Sequence, residues 1–283
     1  MGESYQVSGA GQWFPSDPRA LRTEVEGYLD HAGIPSMDAM LLGGIAPHAG
    51  LGYSGRVAGH TYAALRADAH QHGNPARVVV LGFSHRPAMP GLALLDAETI
   101  GTPLGQVRVD QLGVNAMQRF VPSARLDSDA HRGEHSVENQ LPFLQCALPG
   151  VPVIAGLVCG HDQAWVTSIG AALQALHAQD RTVCIASTDL LHDSSYEKVS
   201  ETDAQTLSMV EKLDSDGLNR AWSPTRQVCC GIGPVVSVLQ FVRSAGGSRG
   251  IRLFYENSGD VDPSGRGHWV VGYGSVVFPA PEK

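Results

Sequence analysis

The feature that most constrains the fold is a rhythm: short, apolar, β-branched runs alternate along the chain with longer amphipathic stretches. Leu41 to Ala46 is followed by a helical stretch from Gly55 to His70 and then by Val78 to Phe83. Leu92 to Asp96 and Val107 to Val109 read as short strands, Gln111 to Phe120 and Ser136 to Ala147 as helices, and Val151 to Val158 as a strand. The pattern resumes with a helix over Gln163 to Ala178, the strand Thr182 to Ala186, helices near Asp203 to Leu213 and Gly231 to Ser244, and two closing strands, Arg252 to Tyr255 and Val270 to Val277. Strands separated by crossover helices require a central, mostly parallel sheet flanked by helices. No long linker, internal repeat or low-complexity tract divides the chain, so residues 1–283 are expected to form a single α/β domain.

Charge and composition remove several function classes. With 20 Lys+Arg against 28 Asp+Glu the formal charge is −8, which leaves no basic excess for a phosphate backbone; no nucleic acid is expected as partner. No run approaches the ~18 apolar residues of a membrane span, so no membrane is expected either. Met1 to Ala10 lacks the basic and apolar regions of a secretory signal, which points to the cytoplasm. The five cysteines, Cys146, Cys159, Cys184, Cys229 and Cys230, are odd in number and form no C-x-x-C, which argues against a disulfide framework or a zinc knuckle.

In open α/β sheets, ligands bind beyond the carboxyl ends of the strands, so reactive residues that directly follow a strand carry most information. Three histidines do so: His48 in Ile-Ala-Pro-His-Ala-Gly, His85 in Leu-Gly-Phe-Ser-His, and His192 in Ser-Thr-Asp-Leu-Leu-His. If their strands are parallel, all three reach one rim. Cys230 precedes Gly231 at a helix start, where the helix dipole is expected to favour thiolate. In Glu134-His135-Ser136-Val137-Glu138, Ser136 is expected as a helix cap, and His135 and Glu138 are expected to line the pocket from one helix face. His31, His60, His70, His72, His161 and His177 lack such a context and read as surface or core residues; His131 and His268 stay undecided.

Two histidines and one anion with open positions is the coordination logic of non-haem Fe(II) oxygen chemistry. A thiolate is softer than the usual carboxylate and also suits copper or zinc, so ligand types alone leave the metal open. There is no G-x-S-x-G, no G-x-G-x-x-G after a strand and no P-loop, which leaves a Cys230/His192 dyad as the alternative nucleophile scheme.

At these residues the sequence resembles the MEMO family along its whole length. The resemblance runs through Ala10-Gly11-Gln12-Trp13-Phe14-Pro15, Ala46-Pro47-His48-Ala49-Gly50 with Tyr53-Ser54-Gly55, and Leu81-Gly82 with Ser84-His85. It continues through Glu134-His135-Ser136 with Gln140-Leu141-Pro142-Phe143, Ser187 and Asp189 with His192, Cys230-Gly231 with Gly233-Pro234, Asn257-Ser258-Gly259-Asp260, and Val270-Val271-Gly272-Tyr273. That family is similar in fold to LigB-type class III extradiol dioxygenases, which use Fe(II) to open catechol-like rings. The resemblance implies His48, His85 and Cys230 as metal ligands, Cys230 standing where the dioxygenases place a glutamate. It implies His192 as general base and His135 as a substrate contact; Asp189, three residues upstream of His192, is expected from its position to orient His192 or cap its loop. Phe83, Leu51-Gly52, Leu191, Asp193 and Asn139 depart from the family pattern around these positions, and such changes reshape a pocket without removing the site.

The expected activity is therefore an Fe(II)-dependent dioxygenase whose partners are a small-molecule substrate and O₂, with copper or zinc as alternative metals. Bacterial members of the family are the B component of a gene group that also encodes AMMECR1-type and radical-SAM proteins, which are implied as protein partners. The alternative is a non-catalytic metal- or peptide-binding protein, as proposed for animal relatives that bind phosphopeptides.

Overall fold

The computed structural model describes residues 4–86 and 89–281. Its strands are β1 (Ser4–Gln6), β2 (Leu41–Ala46), β3 (Arg77–Gly82), β4 (Gly91–Leu94), β5 (Thr99–Thr102), β6 (Gly105–Arg108), β7 (Ala124–Leu126), β8 (Val153–Cys159), β9 (Thr182–Ser187), β10 (His192–Asp193), β11 (Ile251–Asn257) and β12 (Val270–Pro279). The helices are α1 (Pro18–Asp30), α2 (Leu51–His72), α3 (Gln111–Phe120), α4 (Ser128–His131), α5 (His135–Glu138), α6 (Leu141–Ala147), α7 (Gln163–Gln179), α8 (Tyr196–Glu211), α9 (Ser215–Ala221), α10 (Ile232–Ser244) and α11 (Ser258–Val261).

The main sheet has the order β10-β12-β2-β9-β3-β8-β4-β7, with β11 also paired to β12; β1, β5 and β6 form a small second sheet. At its centre β2, β9, β3 and β8 are adjacent and parallel, as the crossover pattern requires. The margins are antiparallel: β4 runs against β8, and β12 runs against β2, β10 and β11. The link from β3 to β4 is too short to hold a crossover helix, so it cannot return the chain to the same direction. Connection β2-α2-β3 crosses the sheet one way and β8-α7-β9 crosses back, and two right-handed crossovers in opposite directions put their helices on opposite faces. Helices α1 and α6 pack with α2, and α3 and α10 pack with α7, covering both faces. Every residue of β2 and β9 is buried, which explains why these strands read as unbroken small or apolar runs rather than alternating ones.

Two element boundaries differ from expectation for identifiable reasons. The helix expected over Ser136 to Ala147 is two short helices, because Pro142 in the first turn of α6 has no N–H to continue the ladder from Glu138. The helix expected to begin at Asp203 begins two turns earlier, where Ser195 Oγ accepts from the N–H of Lys198 and a polar first turn hides the start from apolar periodicity. Helix α1 lies outside the expected elements, although Asp17 caps it by accepting from Ala20 and Pro18 opens it, a recognisable start signal. Among the described residues no helix is long and apolar enough to cross a membrane.

Candidate metal centre

The parallel centre of the sheet aims the ends of β2, β9 and β3 at one rim, and the site is built there. His48 follows β2, Thr188 and Asp189 follow β9, and His85 follows β3. Cys230 joins them from the start of α10, which approaches so closely that a Cβ on Gly231 would lie 2.8 Å from the carbonyl oxygen of Ser187. One ring nitrogen from each of His48 and His85 and the Cys230 sulfur all lie within 4.8 Å of one another. His48 Nε2 and Cys230 Sγ are 3.2 Å apart.

Hydrogen bonds decide which nitrogen each histidine offers. The single hydroxyl proton of Ser187 goes to the carbonyl of Ser136 at 2.5 Å, so its Oγ accepts from Gln140 Nε2 and from His48 Nδ1, both at 2.9 Å. His48 therefore carries its proton on Nδ1 and keeps a lone pair on Nε2. In the same way His85 Nδ1 faces Glu134 Oε1 at 3.0 Å, which leaves Nε2 of His85 free. Glu134 also accepts the backbone N–H of His85 at 2.6 Å and that of Ser136 at 2.9 Å. Burial pushes the Glu134 carboxyl up, but these bonds and the charge of His85 outweigh it and bring the group down to about 2.

Burial, with the nearby His85 and His135, holds His48 well below the ordinary histidine range, so it is neutral at pH 7. Cys230 differs from expectation: burial, then the charge of Asp189, pushes its thiol well above the ordinary cysteine value, so the dipole of α10 does not prevail. The thiol becomes a thiolate ligand only by releasing its proton to solvent as a cation binds. Asp189 also differs from expectation. Its Oδ1 accepts the N–H of His48 at 2.7 Å and of Ala49 at 3.3 Å, so it holds the loop after β2 and makes no bond to His192.

His192 stands in β10, paired with Val271 of β12, and meets the edge of the exposed Trp269 ring at a centroid distance of 5.8 Å. It is close enough to the centre that His85 affects it electrostatically, but burial is the larger cause that lowers it to about 4, well short of the near-neutral value expected. Its Nε2 is buried and has no hydrogen-bond partner among the described residues. His135 lies stacked between Trp13, at 3.9 Å and 6°, and His85, at 4.6 Å and 25°.

Glu138 does not share that face. It takes hydrogen bonds from Tyr5 Oη and from the N–H groups of Ser8 and Gly9, each at 2.8 Å, and so anchors the N-terminal segment that delivers Trp13. The cap of α5 is Glu134 rather than Ser136, which bridges to Phe83 by accepting its N–H and donating to its carbonyl. His131, undecided from sequence, is buried with Nε2 on the carbonyl of Ala93 and serves the core. The sequence pattern missed Ser187 and Glu134 as orienting groups; only the position of Glu134 beside His135 hinted at the second.

The donor set fits a cation. Ligands about 2.0–2.3 Å from a tetrahedral ion lie about 3.5 Å from one another, close to the His48–Cys230 separation. Two oriented imidazoles and one ionisable sulfur, with one nitrogen braced by a carboxylate, match the usual outer support of metal-bound histidine.

Residues 6–277 match the family model described as Memo-like protein. The chain is 35% identical over 282 residues to a MEMO1 family protein of Methanopyrus kandleri, covering 95% of this chain and 96% of that one. It is 34% identical over 275 residues to a MEMO1 family protein of Methanothermobacter thermautotrophicus, covering 93% and 96% of the two chains. In fold it is similar to an uncharacterized Escherichia coli K12 protein, with a TM-score of 0.50 at 14% identity, over 77% of this chain and 91% of the other.

Proposed function

The chain belongs to the Memo-like family, and on that footing we propose that it is a metal-dependent oxidoreductase of small molecules, most specifically a non-haem Fe(II) dioxygenase acting on an aromatic or otherwise oxidisable compound. The observation that carries this reading is the convergence of His48, His85 and Cys230 on one point of the strand rim, with His192 beside it. When bound, Fe(II) would supply one-electron chemistry towards O₂ and Lewis acidity for a substrate hydroxyl; the same donors suit copper or zinc, of which zinc has no redox chemistry.

The protein's own part follows from its side chains. His48 and His85 donate through Nε2, and Cys230 donates as thiolate after losing its proton. His192, neutral at pH 7, takes the proton of a substrate hydroxyl, and its unpartnered Nε2 is the atom for that bond. His135, fixed in its stack, contacts the substrate without having to be ordered when it binds. Asp189 keeps His48 in place by holding its backbone.

Elemental analysis of anaerobically purified protein, beside His48→Ala, followed by O₂ consumption with a panel of catechols tests the proposal. Stoichiometric iron in the wild type, none in the variant, and substrate-dependent O₂ uptake are expected. Metal without uptake across the panel would favour a binding role, and normal iron in folded His48→Ala would remove that residue from the ligand set.

A further inference from the structure

A cavity of about 520 Å³ lies against the segment that delivers His192. Leu191 and His192 form one wall, α8 contributes Lys198, Thr202 and Gln205, and the turn before Cys230 contributes Arg226. We propose that this cavity binds a small organic anion, a carboxylate or phosphate on an apolar body, with Arg226 holding the anionic head and His192 meeting a polar group on the body. The inference goes beyond the metal site already described, whose proposed ligands do not line this cavity, and the binding does not depend on the chemistry proposed there.

Three observations support it. First, the charges of the lining do not cancel. Lys198 is paired with Asp193 at 2.5 Å, whereas Arg226, exposed at the rim, has no carboxylate partner among the described residues. Two cations against one carboxylate leave the lining with a net positive charge in a chain of formal charge −8. Second, His192 belongs to the lining, and its Nε2 has no hydrogen-bond partner among the described residues, a bond that a ligand reaching the ring would supply. Third, apolar Leu191, Met209 and Val228 lie in the same lining as hydroxyl and amide groups, the mixed surface that suits an organic body with a polar head. The cavity touches both the His192 segment and the turn leading to Cys230, while His48, His85 and Cys230 themselves lie outside its lining.

Calorimetric titration of metal-loaded protein at about 0.15 M salt, with 3-phenylpropionate, phenyl phosphate and the uncharged 3-phenylpropanamide, tests the proposal. Wild type is expected to bind an anionic probe about tenfold more tightly than the amide, because a hydrogen bond to a charged group is worth more than a neutral one. That preference should shrink to within about twofold in Arg226→Gln, and Gln205→Trp, which crowds the rim from an exposed helical position, should weaken all three probes. Tighter phenyl phosphate than phenylpropionate would identify a phosphate head, and the reverse a carboxylate. The ring-proton resonance of His192 should move when the anion is added. Equal binding of charged and neutral probes, a preference retained in Arg226→Gln, absence of saturable binding, or a static His192 resonance in the bound state would each overturn the proposal. Anion preference in a protein that takes up no O₂ would leave this cavity standing and remove the dioxygenase reading; O₂ uptake with an unchanged preference in Arg226→Gln would do the reverse.

Discussion

A buried neutral imidazole offers one lone pair, and the bond made by its other nitrogen decides where that lone pair points. Ser187 decides it for His48 and Glu134 for His85, so neither donor has to reorganise when a cation arrives. Glu134→Gln keeps the size but retains only one acceptor oxygen, while its amide N–H faces donors. Metal affinity should fall about 10- to 100-fold, measured by competition with a chromophoric chelator, and an unchanged affinity would show that Glu134 does not brace His85. Asp203 is the second informative residue. Fully buried, it accepts from the N–H of Leu191 at 3.0 Å and from Tyr255 Oη at 2.9 Å, and burial raises it to about 7. A carboxyl that binds its proton more tightly when folded contributes stability that is complete below the unfolded value near 3.8 and lost as pH rises through about 7. Asp203→Asn removes the charge and retains an acceptor for Leu191. The variant should gain on wild type between pH 4 and pH 7, by an amount on the order of a few kcal/mol, and hold that gain above pH 7. Denaturant midpoints that run in parallel across this range would contradict the assignment.

Elements meet at this site by close backbone approach. At the end of β3, a Cβ on Gly82 would lie 2.5 Å from Ser136 Oγ and 2.8 Å from Val137 Cγ2 of α5. Ser136 cannot swing away without losing both bonds to Phe83, so Gly82→Ala should destabilise the fold by about 1–3 kcal/mol in chemical denaturation. It should also weaken metal binding by moving α5, and Glu134 with it, relative to His85; full stability in the variant would mean that the two elements separate freely. The sequence made much of this frame legible. Strands β2, β3, β8 and β9 are short apolar runs set between helices, and their parallel order follows from the crossovers, which placed His48 and His85 at one rim. What stayed hidden has a common cause. The roles of Ser187, Asp189 and Glu138 depend on partners about 130 to 140 residues away, and no local period encodes a partner at that distance. Sequence context also suggested the wrong titration for Cys230 and His192, because a helix start or a strand end says nothing of the depth at which the group is buried.

At the scale of the whole molecule, the proposed ligands come from three separate parts of the chain, with His48 and Cys230 182 positions apart. A cation held by all three links β2, β3 and α10, an arrangement the unfolded chain lacks, so binding must stabilise the fold. At a free metal concentration of about 100 times the dissociation constant the gain is about 2.7 kcal/mol, which in a chain of this size corresponds to a rise in melting temperature of roughly 4–5 °C. His48→Ala should abolish the rise, and a chelator should reverse it in the wild type. The pH dependence of this rise identifies the third ligand. His48 is already neutral at pH 7, whereas burial keeps the Cys230 thiol protonated, so binding through sulfur must release a proton from the cysteine. Release of one proton makes affinity increase about tenfold per pH unit while the free thiol remains protonated. Between pH 7 and pH 8 the metal-induced stabilisation should therefore grow in the wild type by about 1.4 kcal/mol, and Cys230→Ala, which has no thiol proton to release, should lose that growth. A rise independent of pH in the wild type would mean that the sulfur stays protonated and that the cation is held by the histidines alone.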